Sequence, residues 1–372
     1  MADHRDDKAL SARLVQSSSK LVMPILALVL ALIIGALVIW LMGISPWMAY
    51  KSLLKGSLGS TNSIAETLLK SAPLIFTGLS FALAYRCGLI NIGAEGQLYM
   101  GGFASTLVGI YLKGLPLFVH LPLALAAGFV AGGLWGLLAG WLKVRFGASE
   151  IITTVMLNYV AIYWVSYVVT GPMKEPPGTF PQSALVAVTA QLPRILTGTR
   201  LHLGFLVAIL ALIFYFVFLW HTPRGFELRV VGQNPHAAGY AGMSPNASVL
   251  LAMFLAGGMG GLAGAGEILG VQRRLLQAFS PGYGFDGIAV ALLGLNAPMG
   301  IFLAAILFGI LRSGGNTMQM FSGVPVALIY IIQALVIFFV VSEHMFKPKG
   351  RNHLAATATR APQDGATGRE KR

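Results

Sequence analysis

The chain has almost none of the groups from which disulfide, redox or metal chemistry is built. Its single cysteine, Cys87, has no partner for an internal disulfide, and its seven histidines are scattered without metal-ligand spacing. No metal site is expected. Charge is just as scarce, with 10% of the 372 residues charged against 56% hydrophobic. A soluble domain could not cover its surface with so few polar groups, so the composition points to an all-α, polytopic membrane protein. The net charge of +13 would suggest nucleic acid in a soluble protein. Here many Lys and Arg lie in tails and short loops between apolar runs, where they orient membrane helices, and no nucleic-acid partner is expected. A phosphate-binding Gly-x-x-x-x-Gly-Lys-Ser/Thr loop is missing, so the chain is not expected to hydrolyse ATP alone. Gly282, Gly284 and Gly287 satisfy Gly-x-Gly-x-x-Gly, but they follow a loop instead of a strand, which reads as a flexible helix start.

What the chain does have is a polar interruption in apolar surroundings. Gly88 to Gln97, GLINIGAEGQ, sets Asn91, Glu95 and Gln97 among apolar segments, where each unpartnered polar group costs several kcal/mol. Gly88, Gly93 and Gly96 allow the backbone to leave the helical path or another surface to come close. Two readings follow: a helix break beside a substrate path, or a helix–helix contact in which the amides bond neighbouring backbones. A second interruption, Gly294-Leu295-Asn296 followed by Ala297 and Pro298, ends another short apolar run. Broken hydrophobic segments in corresponding halves point to a transporter site. Arg86, Glu95, Glu267 and Asp286 are the ionisable candidates within the apolar regions, too sparse for a proton relay. Glu267 and Asp286 lie near expected helix ends and read as solvated or capping groups. No His or Cys has a nucleophile or carboxylate partner in sequence, so no catalytic residue is expected.

Taken in order, residues 1–20 form a basic tail. Leu21 to Gly43 is too long for a signal-peptide core and reads as the first of about ten membrane helices. An external amphipathic helix is expected around Tyr50 to Leu69, an inward span from Ser71 to Ile90, and a helix from the break to about Leu112. Leu117 to Leu142 carries Gly128, Gly132, Gly136 and Gly140 on one face, which predicts close packing deep in the bundle. Ser149 is a candidate cap for the next helix, with Glu150 in its first turn. Residues 171–203 are Pro-rich and read as an external loop. Residues 221–246 are the most polar internal stretch and read as a cytoplasmic loop with a short helix started by Asn234 and Pro235 and ended by Gly242 and Pro245. Residues 21–345 thus form the membrane domain, and residues 346–372 a basic, disordered tail. Lys and Arg at both ends place both termini in the cytoplasm.

NIGAEGQ at 91–97, GQNPHAAGYAGM at 232–243 and FDGIAVALLGLNAP at 285–298 together resemble the permease subunits of bacterial nucleoside and simple-sugar ABC importers. The resemblance extends across most of the chain, the tails and the 171–203 loop excepted. It implies an inner-membrane subunit that works as a heterodimer with a second permease, with cytoplasmic ATP-binding subunits, and with an external lipoprotein that delivers substrate. ATP and Mg would be used by the ATPase subunit, and this chain would bind no cofactor. It also implies a cytoplasmic coupling helix at Gly232, Asn234, Ala237, Ala238, Tyr240, Ala241 and Gly242, whose small residues suit a helix that seats in a partner's groove.

For the substrate path, Asn91, Glu95, Gln97 and Asn296 supply polar groups, with Phe81, Tyr85, Tyr99 and Phe285 as stacking walls. A flat base and a polyhydroxylated ribose call for aromatic faces and amide hydrogen bonds. Sugars such as ribose or galactose would use much the same groups. An ion-coupled carrier and a non-transporting scaffold are the rival classes. The missing relay argues against the first, and the polar breaks against the second.

Overall fold

The computed structural model describes residues 26–346, with side chains to 339. The expected basic tails at 1–20 and after 346 lie outside the described residues, as does the start of the first helix. Among the described residues the chain is helical, with two isolated β-bridges and no longer strand. Helix α1, Leu26–Leu41, turns by 120° into α2, Pro46–Leu58. Then come α3, Thr61–Arg86; α4, Ala94–Tyr111; α5, Leu117–Phe146; and α6, Glu150–Thr170. After a long connection follow α7, Gly204–His221; the short α8, Pro223–Gln233, and α9, Pro235–Tyr240; and α10, Pro245–Gly266. The chain closes with α11, Tyr283–Leu293; α12, Pro298–Ser322; and α13, Ala327–Phe346. Six of these helices are long and apolar enough to cross a membrane, seven if α1 and α2 make one bent span. The expected count of about ten is therefore not reached on length and apolarity.

The amphipathic helix expected around Tyr50 to Leu69 is two pieces instead. Leu58 ends α2, and Ser60, whose hydroxyl accepts from the Ser63 N–H at 3.1 Å, starts α3 at Thr61. Helix α3 is the axis of the molecule, buried at every residue from Ser71 to Ala84, whereas α5 is buried along one face. The glycine stripe of α5 packs as expected on one face only. A Cβ on Gly132 would overlap the Gly257 carbonyl, and one on Gly136 would overlap that of Met253, so α5 and α10 meet backbone to backbone. The opposite face of α5, with Phe118, Val130, Leu134 and Trp141, is exposed. Ser149 precedes α6, but its side chain makes no capping bond; Glu150 pairs with Lys143 at 2.6 Å.

Residues 171–203 are tied down along their length. Ser183 and Val186 donate backbone N–H groups to the carbonyls of Leu275 and Arg273, and Ala187 donates to Gly109. Leu192 likewise donates to Leu269 in the π-helical stretch Glu267–Gln272 that continues α10. Arg274 pairs with Glu175, and Arg200 forks onto Glu66 at 2.7 and 2.6 Å, a geometry that raises the guanidinium pKa further. Burial pushes the His202 imidazole down to about 4, so its Nδ1 stays free to accept the Gly204 N–H.

Candidate functional site

Both interruptions read from the sequence are real gaps in helical structure: α3 ends at Arg86 and α4 starts at Ala94, while α11 ends at Leu293 and α12 starts at Pro298. Gly88 takes a positive φ of 77°, the turn that lets the chain double back along α3. Asn91 thereby lies beside Ser80, well before the end of the helix. Its amide donates to the Ser80 hydroxyl at 3.1 Å and to Gln97 Oε1 at 3.2 Å, and its oxygen accepts from the Gly93 N–H at 2.9 Å and from Gln97 Nε2 at 3.1 Å. Ser80 also donates to Gln97 Oε1 at 3.1 Å. Asn158 on α6 completes the arrangement, accepting from the Gly96 N–H at 2.8 Å and donating to the Ile92 carbonyl at 2.9 Å. Asn91 and Gln97 are fully buried and bonded to protein, so in this structure they staple the break to α3.

Glu95 faces another way. Its carboxylate accepts the Gly284 N–H at 2.6 Å, so the first turn of α4 abuts the first turn of α11. Close by, Arg312 of α12 donates to Asp286 at 3.0 and 2.7 Å and lies 4.6 Å over the Tyr283 ring, and Lys70 donates to the Arg312 carbonyl at 3.2 Å. Lys70 and Arg312 thus join the four ionisable groups named from the sequence. Glu267 is buried in the π-helical stretch, not solvated, and Asp286 is ion-paired while also in the first turn of α11. A cavity of about 180 Å³ opens beside this group, with Lys70, Arg312 and Asn316 set among Tyr283, Ile329 and Tyr330. None of the eight path residues named from the sequence lines it.

The four aromatic candidates do not share one wall. Phe81 is buried and stacks on half-exposed Tyr85 at 5.8 Å; buried Tyr99 meets Phe279 at 4.6 Å; Phe285 is half-exposed. Asn296 sits at the second break, where it and Leu295 adopt left-handed φ values of 52° and 54°. Its carbonyl accepts from Arg86 Nη2 at 2.9 Å and from the Tyr215 hydroxyl at 2.8 Å, while its side-chain oxygen is buried without a partner.

The segment 221–246 forms two short helices where one was expected. Thr222 caps α8 by accepting the Gly225 N–H at 3.1 Å. Asn234 ends α8 and caps α9, accepting from His236 and Ala237 at 3.0 Å each. Asn234, Ala237, Tyr240, Ala241 and Gly242 stand exposed, Tyr240 at 95%, whereas Ala238 is buried beneath them. Gly232 is the root of this ledge. A Cβ there would overlap the Arg86 carbonyl, and one on Gly88 would lie 3.2 Å from the Gly232 carbonyl. The ledge therefore rests on the first break. Trp220, at the end of α7, lies under the guanidinium groups of both Arg86, at 5.3 Å, and Arg229, at 5.6 Å.

Among the described residues no cluster of metal-ligating side chains occurs. No solved structure matches the chain. Curated relatives do. A guanosine ABC transporter permease protein of Bacillus subtilis, NupP, is 40% identical over 90% of this chain and 97% of its own length. A glucose ABC transporter permease protein of Haloferax volcanii, TsgB13, is 39% identical over 87% of this chain and 88% of its own. A nucleoside ABC transporter permease protein of Lactococcus lactis, NupB, is 34% identical over 92% and 97%. With residues 63–341 matching the model of the branched-chain amino acid transport system / permease component, and both helix breaks and the α8–α9 ledge inside that range, the chain is a multi-pass membrane protein that belongs to this permease family.

Proposed function

We propose that this chain is the membrane-spanning subunit of an ABC importer for nucleosides, acting with a second, different permease, cytoplasmic ATP-binding subunits and an external binding lipoprotein. The observation that carries the reading is the exposed α9 ledge rooted on the first helix break, a surface continuous with the part of the bundle that must move. Arg224 and Arg229 favour a cytoplasmic ledge, and the Lys and Arg of both terminal segments favour the same side of a bacterial inner membrane. ATP binding closes the partner ATPases, the ledge moves with them, and the two broken segments rearrange. Chemistry on ATP and Mg belongs to the ATPase subunit.

Nucleoside is the preferred substrate class because NupP and NupB carry it in their names and cover nearly the whole chain. Simple sugars are the second reading, supported by the glucose permease TsgB13 at 39% identity. The test is purification of the tagged chain from its host with its associated subunits, reconstitution into liposomes, and ATP-dependent uptake of labelled guanosine and labelled glucose in parallel. Guanosine uptake that needs ATP supports the reading. Glucose uptake alone moves the substrate to the sugar class, and uptake abolished by an uncoupler but indifferent to ATP removes the ABC assignment. Because Ala238 is buried, the ledge is tested at Tyr240. Tyr240→Ala is expected to lower ATPase co-purification several-fold while leaving the thermal midpoint of the permease unchanged.

A further inference from the structure

Arg86 touches every part that transport must connect. Its Nη2 holds the Asn296 carbonyl in the second break at 2.9 Å, and its own carbonyl carries Gly232, the root of the ledge. Its guanidinium lies 5.3 Å over Trp220, the ring that also receives Arg229 of α8, and the next residues, Cys87 and Gly88, open the first break. The contact is also incompletely bonded. Arg86 Nε is a buried donor without an acceptor, and Asn296 Oδ1 is a buried acceptor without a donor, on two residues that already touch. Leaving such groups unpaired is costly, and a second arrangement in which the Arg86 fork takes the Asn296 side chain would satisfy both. Leu295 and Asn296, both at positive φ, form a short stretch of backbone able to change between the two.

We propose that Arg86 is the positioning residue that couples the α8–α9 ledge to both helix breaks, exchanging its hydrogen bond between the backbone and side chain of Asn296 as the transporter cycles. The proposal rests on the ABC-permease reading. Lysine would keep the charge and one donor at the Asn296 carbonyl, but it lacks the planar fork and the flat face that covers Trp220. Glutamine keeps a donor and loses the charge.

The experiment measures the number of substrate molecules taken up per ATP hydrolysed, using labelled guanosine and labelled glucose in proteoliposomes holding the whole complex. Wild type, Arg86→Gln, Arg86→Lys and Trp220→Leu are compared at equal amounts of assembled complex. The ratio is expected to fall at least tenfold in Arg86→Gln, and severalfold in Arg86→Lys and Trp220→Leu. A merely structural role lowers uptake and hydrolysis in proportion and leaves the ratio where it was, which overturns the proposal; so does an unchanged ratio in Arg86→Lys together with Trp220→Leu should Arg86→Gln fail to assemble. Wild-type uptake independent of ATP instead removes the ABC reading, and the two failures are thereby told apart.

Discussion

At the first break the carboxamides of Asn91, Gln97 and Asn158 are all bonded: Asn91 and Gln97 to each other and to Ser80 of α3, and Asn91 and Asn158 to the backbone of Ile92, Gly93 and Gly96. At the second break the backbone carbonyl of Asn296 is held by two donors while its side chain is left alone in the interior. Both interruptions fall near the same end of α3, and both rely on a residue type that tolerates turns. The difference lies in redundancy. A network in which each member has several partners fixes one arrangement, whereas two bonds onto a single carbonyl, beside an unpaired oxygen, leave a rearrangement within reach. The first break is thus built as a fixed corner and the second as a joint.

The largest effect that would break this contrast is at Asn91. Asn91→Leu strands the Gly93 N–H and the Gln97 Nε2 donor in the interior and leaves Ser80 and Gln97 Oε1 only each other, and about 3 kcal/mol of stability should be lost, read as a lowered unfolding midpoint in detergent. A cost near zero would mean that the corner is not fixed by its side chains. Tyr215→Phe removes one of the two donors at the Asn296 carbonyl and leaves Arg86 in place, so about 1 to 1.5 kcal/mol is expected from the same measurement. The smallest effect sharpens the contrast most. Asn296→Gly discards a side chain that bonds nothing and places glycine at a φ of 52°, so stability should change by about 0.5 kcal/mol or less. A large loss there would show that the Asn296 side chain already has a partner in the membrane.

Both breaks were legible in the sequence because glycine, asparagine and proline interrupt apolar runs at 88–97 and 294–298, and local chain chemistry alone produces that signal. The partners were not. Ser80 and Asn158 are ordinary polar residues in long apolar helices, and Asn158 reaches the break from more than 60 residues away, a pairing that only the packing of α6 against α4 creates. Arg312 was hidden inside the glycine-rich run ILFGILRSGG, and Tyr215 inside IFYFVF, where neither stands out from its neighbours. Of the two readings for NIGAEGQ, the amides here follow the helix-contact reading at Asn91 and Gln97, while Glu95 makes a separate bond to α11. Aromatic residues suited to stacking can be recognised in a sequence but the direction each one faces cannot, and the structure scatters them. In the ledge, exposure separates what composition could not: Tyr240 is offered outward and Ala238 is packed beneath.

The lone thiol has a practical use that follows from its position. Cys87 caps the end of α3, is 4% exposed, and has its backbone against Gly232. No other cysteine exists in the chain to blur a signal. A small maleimide should label it slowly while the end of α3 is packed and faster whenever that corner opens, which makes the native protein its own reporter of how often the corner is uncovered during turnover, with no engineered label required.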